Sequence, residues 1–251
     1  MTKFKQICGI LAILALFFGC ASSDKNKFSQ ILSESEKKMN KKALIVGATG
    51  VVGREILNEL LRDESYDEIT IWVRRDPGIS HPKLQTKIIN FDEISQIEPK
   101  YFDEIFCALG TTMKQAGSKE AFLKVDVEYV EQTAIWGKKN GAKRFLLVSA
   151  PNAGENSMFF YFRAKAMAQN AVIAQNYETT QIFAPPLIKG ERKDKRTMEK
   201  IMINFYELFP KSWFDNYPMS GKEIAKQIVK ATKMSEKGVK FYRLRAKDLE
   251  I

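Results

Sequence analysis

Histidine is nearly absent: His81 is the only one in 251 residues, and it lies beside Pro82 in a polar stretch. A Ser-His-Asp hydrolase needs a positioned histidine and histidine-rich metal sites need several, so both classes fall away and His81 reads as a loop residue. Cysteine is scarce too. Cys8, Cys20 and Cys107 are far apart, and the first two sit in an apolar leader, which leaves no disulfide framework, no zinc-ligand spacing and no expected metal. Repeats, low-complexity tracts and a second long apolar run are also missing. With 45% hydrophobic content, the chain can bury one full core, so one globular domain over 39–251 is expected behind an appendage over 1–38.

Acidic residues fall short of basic ones, 30 against 40, for a net charge of +10. The excess is scattered except in KGERKDKR (189–196), which has no interleaved aromatics. Such a run is expected to be a solvated or phosphate-facing loop and not a nucleic-acid surface.

What is present begins with the leader. Lys3 and Lys5 precede an uncharged run from Ile7 to Phe18, too short for an ordinary spanning helix and right for a signal h-region. LFFGC then places a small residue before Cys20, as a lipoprotein processing site does, although Phe17 and Phe18 stand where Leu and a small residue are usual. Residues 21–38, polar and rich in lysine and serine, would form a flexible tether. Two locations follow: a membrane anchor through a lipidated Cys20 if the full chain is made, or a cytoplasmic protein starting at Met39.

From residue 42 the periodicity changes. KALIV ends at Gly47, and VVGREILNELLRDES puts Val52, Ile56, Leu57, Leu60 and Leu61 on one helical face. Further strands are expected at 68–75, 87–91, 104–110, 144–150 and 179–186, with helices at 118–139 and 158–176 between them. Apolar strands alternating with helices imply a doubly wound α/β fold, a parallel sheet covered on both faces. After residue 186, EKIMINFYELF and SGKEIAKQIVKATKM look helical and GVKFYRL looks like a short late strand. These pieces are expected to form a small C-terminal region on the substrate side.

GATGVVG spaces Gly47, Gly50 and Gly53 between strand and helix. A dinucleotide pyrophosphate needs backbone amides at a helix N-terminus with no side chain in the way, so Gly47, Thr49, Gly50, Val51, Val52 and Gly53 are the expected phosphate loop. At the end of the second strand, WVRRDP offers Arg74 and Arg75, which suit a ribose 2'-phosphate and favour NADP(H) over NAD(H), with Asp76 immediately after as the contrary signal. Asp92 is a candidate near the adenine or a solvated turn carboxylate.

Tyr161 and Lys165 in YFRAK lie four apart on one helical face, and Ser149 ends the strand before them. A tyrosine titrates near about 10, so using it as an acid or base near neutrality requires a neighbouring cation to stabilise the phenolate. Lys165 would supply that charge and could hold a ribose hydroxyl, and Ser149 would bind a substrate carbonyl. The competing reading makes Tyr161 part of an aromatic packing run with Phe159, Phe160 and Phe162.

Together, GATGVVG, WVRR, CALGTTMKQAGSKEAFLKVD (107–126), FLLVSAPNAG (145–154), FYFRAK and FAPPLIKGER (183–192) resemble the atypical short-chain dehydrogenase/reductases, and more closely the Tat-interacting protein family of oxidoreductase-like proteins within the NAD-dependent epimerase/dehydratase-like superfamily. The resemblance implies a Rossmann domain holding NADP(H), a Ser-Tyr-Lys arrangement at Ser149, Tyr161 and Lys165, Leu109, Gly110 and Thr111 beside the nicotinamide, and a loop after the sixth strand folded over the cofactor. Where relatives often read Arg-Pro-Gly, this chain has Ala184-Pro185-Pro186. Two functions follow as expectations: reduction of a small carbonyl substrate, or dinucleotide sensing on behalf of a protein partner. A fold alone does not choose between them.

Overall fold

The computed structural model describes residues 40–189, 218–234 and 236–245. Strand β1 (Lys41–Val46) has Ala43, Leu44, Ile45 and Val46 all fully buried, which is possible only where both faces of a sheet are covered. Around it run β2 (Tyr66–Val73), β3 (Leu84–Ile88), β4 (Glu104–Cys107), β5 (Arg144–Val148) and β6 (Thr179–Ala184). Two short strands, β7 (Ile188–Lys189) and β8 (Met219–Ser220), pair with each other, and β9 (Gly238–Arg243) closes the main sheet. The order is β3-β2-β1-β4-β5-β6-β9, parallel throughout, so the chain reverses direction of travel between β3 and β4, beside β1. In such sheets ligands bind off the carboxyl ends of the strands at that switch point.

Each face has its own core. On one, α1 (Val51–Arg62) buries Ile56, Leu57 and Leu60 with Ile45, Ile69 and Ile71, and α6 (Gly221–Thr232) adds Ile224 and Ile228. On the other, α4 (Tyr129–Lys139) and α5 (Phe160–Ile173) cover Leu44, Val46, Trp72, Phe145, Leu147 and Ile182, with Trp136 edge-on to Trp72 at 4.7 Å. Fully burying one such aliphatic side chain contributes about 1.5–3 kcal/mol.

The doubly wound parallel sheet is as expected, and the differences lie at element ends. Strands β2, β4, β5 and β6 stop at Val73, Cys107, Val148 and Ala184, so Arg74, Arg75, Leu109, Gly110 and Ser149 are all post-strand residues. The third strand is Leu84–Ile88 and not 87–91, because Phe91 and Ile94 turn inward as a 3-10 helix (Phe91–Gln96) whose first turn is capped by Asn90. The helix expected over 118–139 is broken into α3 (Lys119–Leu123), a π-turn (Lys124–Glu128) and α4, after the short α2 (Met113–Ala116). At the C-terminus, α6 packs into the α1 layer and β9 extends the sheet beside β6, so these two pieces belong to the main body. The helix read in EKIMINFYELF, the basic run past Lys189, the loop expected to cover the cofactor and the leader with Cys20 lie outside the described residues.

Candidate functional site

The turn from β1 into α1 is built so that side chains are excluded. Gly47 has φ +87°, and a Cβ there would stand 2.5 Å from Ala108 O, while a Cβ on Gly53 would fall on Gly47 O. Gly50 caps α1 with extended backbone and no side-chain hydrogen bond, and the first helical turn carries no acidic residue. The cradle and the uncapped positive end of the helix dipole fit a pyrophosphate. Thr49 is exposed and Val51 half-buried, whereas the Val52 side chain faces the core, so only its backbone can serve an anion.

Past β2, Arg74 and Arg75 are both exposed. Asp76 is exposed as well, its Oδ1 accepting from Gly78 N at 2.9 Å. Asp92 is likewise engaged, 2.7 Å from Lys124 Nζ and accepting from Tyr129 OH at 2.7 Å, and Lys124 holds its carboxyl below the ordinary range.

The best-defined polar cluster lies past β4 and against α5. Lys165 is buried, its Nζ 2.7 Å from Oδ1 of fully buried Asp126. The other oxygen of Asp126 accepts from Thr111 N at 2.8 Å. Gly110 borders the pair so closely that a Cβ on it would lie 3.6 Å from Asp126 Oδ1 and 3.7 Å from Lys165 Nζ. Burial opposes a charge on Lys165, yet Tyr161 and Asp126 outweigh it and raise the ammonium's pKa above the ordinary lysine value. The Tyr161 ring centroid is 5.9 Å from Lys165 Nζ, and the ring also packs edge-on against Phe122 and Phe162. Tyr161 remains 37% exposed, so the packing does not close it off. Burial pushes the Cys107 thiol up to about 12, which leaves it protonated and inert at neutral pH.

Ser149 is brought to a different partner. Its Oγ accepts from Gln169 Nε2 at 2.7 Å, in a buried contact, and its backbone N donates to Phe183 O at 2.7 Å. Among the described residues its side chain bonds neither Tyr161 nor Lys165. Tyr161, Lys165 and Gln169 form one stripe along α5 at i, i+4 and i+8. Two participants are therefore additions to the sequence reading: Gln169, signalled by YFRAKAMAQ continuing the four-residue spacing, and Asp126, the acid of the KVD segment, which the π-turn holds inward.

These features have counterparts in known proteins. A model of the family described as NAD(P)H-binding matches residues 47–233. Protein HTATIP2 of Rattus norvegicus is 29% identical over 191 residues, 74% of this chain and 78% of the relative. Protein FMP52-1, mitochondrial, of Scheffersomyces stipitis is 30% identical over 216 residues, 81% and 95% of the two chains. Among solved structures, Bordetella bronchiseptica WbmF in complex with NAD+ superposes with a TM-score of 0.61 at 12% identity, covering 85% of this chain and 77% of that one. A UDP-galactose 4-epimerase gives 0.62 at 11%, covering 81% and 76%. At such identities the likeness is one of fold.

The relatives correct the expected location. The FMP52 proteins of Scheffersomyces stipitis and Debaryomyces hansenii are named as mitochondrial, which overturns the lipoprotein anchor read into LFFGC. A basic, apolar start without acidic residues is common to export and organelle-targeting segments, so composition does not separate them. No helix among the described residues is long and apolar enough to cross a membrane. A match over residues 47–233 and a relative covered almost from end to end lead to one assignment: the chain belongs to the NAD(P)H-binding family, with the HTATIP2 and FMP52 proteins.

Proposed function

We propose that the protein is an NADP(H)-dependent oxidoreductase that reduces a carbonyl, with Tyr161 as its acid. The observation that carries this reading is the placement of half-exposed Tyr161 over buried, charged Lys165, at the lip formed by Gly110. The Gly47–Gly53 loop would hold NADPH, which when bound would supply the hydride for the carbonyl carbon. Tyr161 OH donates the proton that completes the alcohol, and the Lys165 ammonium stabilises the phenolate left behind. Ser149 Oγ accepts from Gln169, so its own proton is free to bond the substrate carbonyl oxygen. Arg74 and Arg75 support NADPH over NADH, since both are exposed where a 2'-phosphate would lie and Asp76 is bound to Gly78.

One observation favours a second reading, a dinucleotide-sensing protein that serves a protein partner. Asp126 is 2.7 Å from Lys165 and offsets the positive charge that Tyr161 needs. A screen of carbonyl compounds for NADPH oxidation, with Tyr161→Phe beside the unmodified chain, decides between them. Loss of turnover in the variant with NADPH binding retained supports the enzyme; turnover unaffected by the change rejects Tyr161 as the acid, and absence of turnover throughout favours the sensor.

A further inference from the structure

A cavity of about 250 Å³ opens at the carboxyl ends of β5, β6 and β9. Its body is apolar, walled by Ala150, Pro151, Ala184 and Phe241, and Phe241 is 63% exposed. Its polar wall is made by Gln169, Asn152, Tyr242 and Arg243, and no carboxylate is among the described residues that line it. Asn152 holds φ +59°, a left-handed turn that Asn tolerates, in the 151–153 segment that lines the cavity. Arg243 is exposed and forms no ion pair with any of the described residues.

Strand geometry links this cavity to Ser149. Leu147 and Ile182 pack into the core beneath α5, so by the two-residue period Ser149 and Ala184 point to the same side. Ala184 pairs with Arg243, which puts the Arg243 side chain on that side as well. Ser149, just past β5, and Arg243, at the end of β9, are thus separated only by β6, roughly 10 Å apart at two interstrand spacings. Gln169 bridges the two places, since it lines the cavity and donates to Ser149 Oγ.

We propose that this cavity forms the part of the substrate site that adjoins Ser149 and that it selects a small carbonyl compound carrying an anionic group, with the carbonyl at Ser149 beside the cavity, Phe241 and Pro151 against the apolar body, and Arg243 on the anion. This rests on the oxidoreductase reading above. The volume falls below the roughly 300–1,000 Å³ of sites for drug-sized ligands, so a small metabolite fits it. A planar guanidinium that pairs with no acid among the described residues suits a carboxylate or a phosphate, through two parallel hydrogen bonds.

The test is calorimetric binding to the full chain of phenylpyruvate, of phenylacetone, which replaces the carboxylate by a methyl group, and of dihydroxyacetone phosphate, repeated on Arg243→Ala and Arg243→Lys. At least one anion should bind about tenfold more tightly than phenylacetone, with the advantage lost in Arg243→Ala and partly kept in Arg243→Lys. Which anion responds separates carboxylate from phosphate. Equal binding of charged and neutral ketones, no binding of either anion, or a preference that survives Arg243→Ala overturns the proposal. Melting temperature and NADPH titration on the same samples show that the variants are folded. The two readings fail separately: anion binding at Arg243 without Tyr161-dependent NADPH oxidation rejects the oxidoreductase, and Tyr161-dependent reduction of neutral ketones indifferent to Arg243 rejects the anion site.

Discussion

The two ends of β4 hold buried carboxylate clusters of opposite character. At its start, Glu104 Oε1 meets Lys41 Nζ at 2.9 Å and Arg144 Nη1 at 3.2 Å, and Oε2 accepts from Tyr66 OH. Arg144 also donates to Thr232 O at 2.5 Å, so one network clasps β1, β2, β4, β5 and α6. Burial and the Glu104 charge raise the Tyr66 hydroxyl well above its ordinary pKa, which keeps it a donor. Past the other end, Asp126 and Lys165 are equally buried, but Gly110 leaves their flank bare and Tyr161 reaches solvent beside them. Both carboxylate oxygens of Glu104 hold hydrogen bonds, whereas Asp126 Oδ1 has an ion pair and no hydrogen bond. A closed network stores stability; an open one retains capacity to bind.

The sharpest way to break this contrast is Glu104→Ala. Removing one partner of a buried network leaves Lys41 and Arg144 uncompensated, and the expected loss is about 3–5 kcal/mol in chemical denaturation. NADPH affinity of the folded fraction should stay unchanged. A loss under about 1 kcal/mol would show that Glu104 is no clasp.

Tyr161→Phe tests the other end and should invert the pattern. Stability should stay within about 0.5 kcal/mol, because the hydroxyl is at the surface. Turnover of any substrate found should fall about a hundredfold or more. Stability and rate measured on one preparation make the check, and a drop in both by the same route would erase the distinction between the two ends.

Asp126→Asn is expected to be intermediate. It keeps the acceptor for Thr111 N but removes the ion pair, costing about 1–3 kcal/mol. The raised pKa of Lys165 fixes the sign of the pH dependence. The ammonium's contribution is complete below the unfolded lysine value of about 10.4 and is lost as pH rises through the higher folded value. In Asp126→Asn the alkaline loss of stability should begin at lower pH, seen as melting temperatures between about pH 9 and 11. An unmoved alkaline limb would mean that Asp126 does not hold the charge.

The contrast also separates what sequence can express from what it cannot. Apolar runs such as KALIV and RFLLVSA specify strands locally, and GATGVVG states its backbone demands in its own glycines, so the doubly wound sheet and the tight glycine turn into α1 were legible. Strand ends were overrun because ALG, SA and PP continue an apolar run after the ladder has stopped. Pairings across the fold left no local mark. Glu104 looks like any strand-flanking acid until Lys41, Tyr66 and Arg144 converge on it, and Asp126 depends on a π-turn hidden inside a good helical pattern. The Gln169 contact to Ser149 Oγ is likewise invisible in the sequence, because it joins a strand end to the third turn of α5.

The smallest effect concerns a surface that belongs to neither cluster. Arg74 and Arg75 are exposed past β2, with Asp76 held in its own turn, so replacing both by Ala removes charge without disturbing packing. Stability should change by no more than about 0.5 kcal/mol. NADPH affinity should weaken about tenfold at low salt while NADH affinity stays, because only the 2'-phosphate meets the arginines, and screening should shrink the difference as salt rises. Equal titration curves for the two dinucleotides, or a preference that outlives the double substitution, would move the choice of cofactor away from the end of β2. Either result would leave the proposal for the Gly47–Gly53 cradle intact, since a pyrophosphate held there would be common to both dinucleotides.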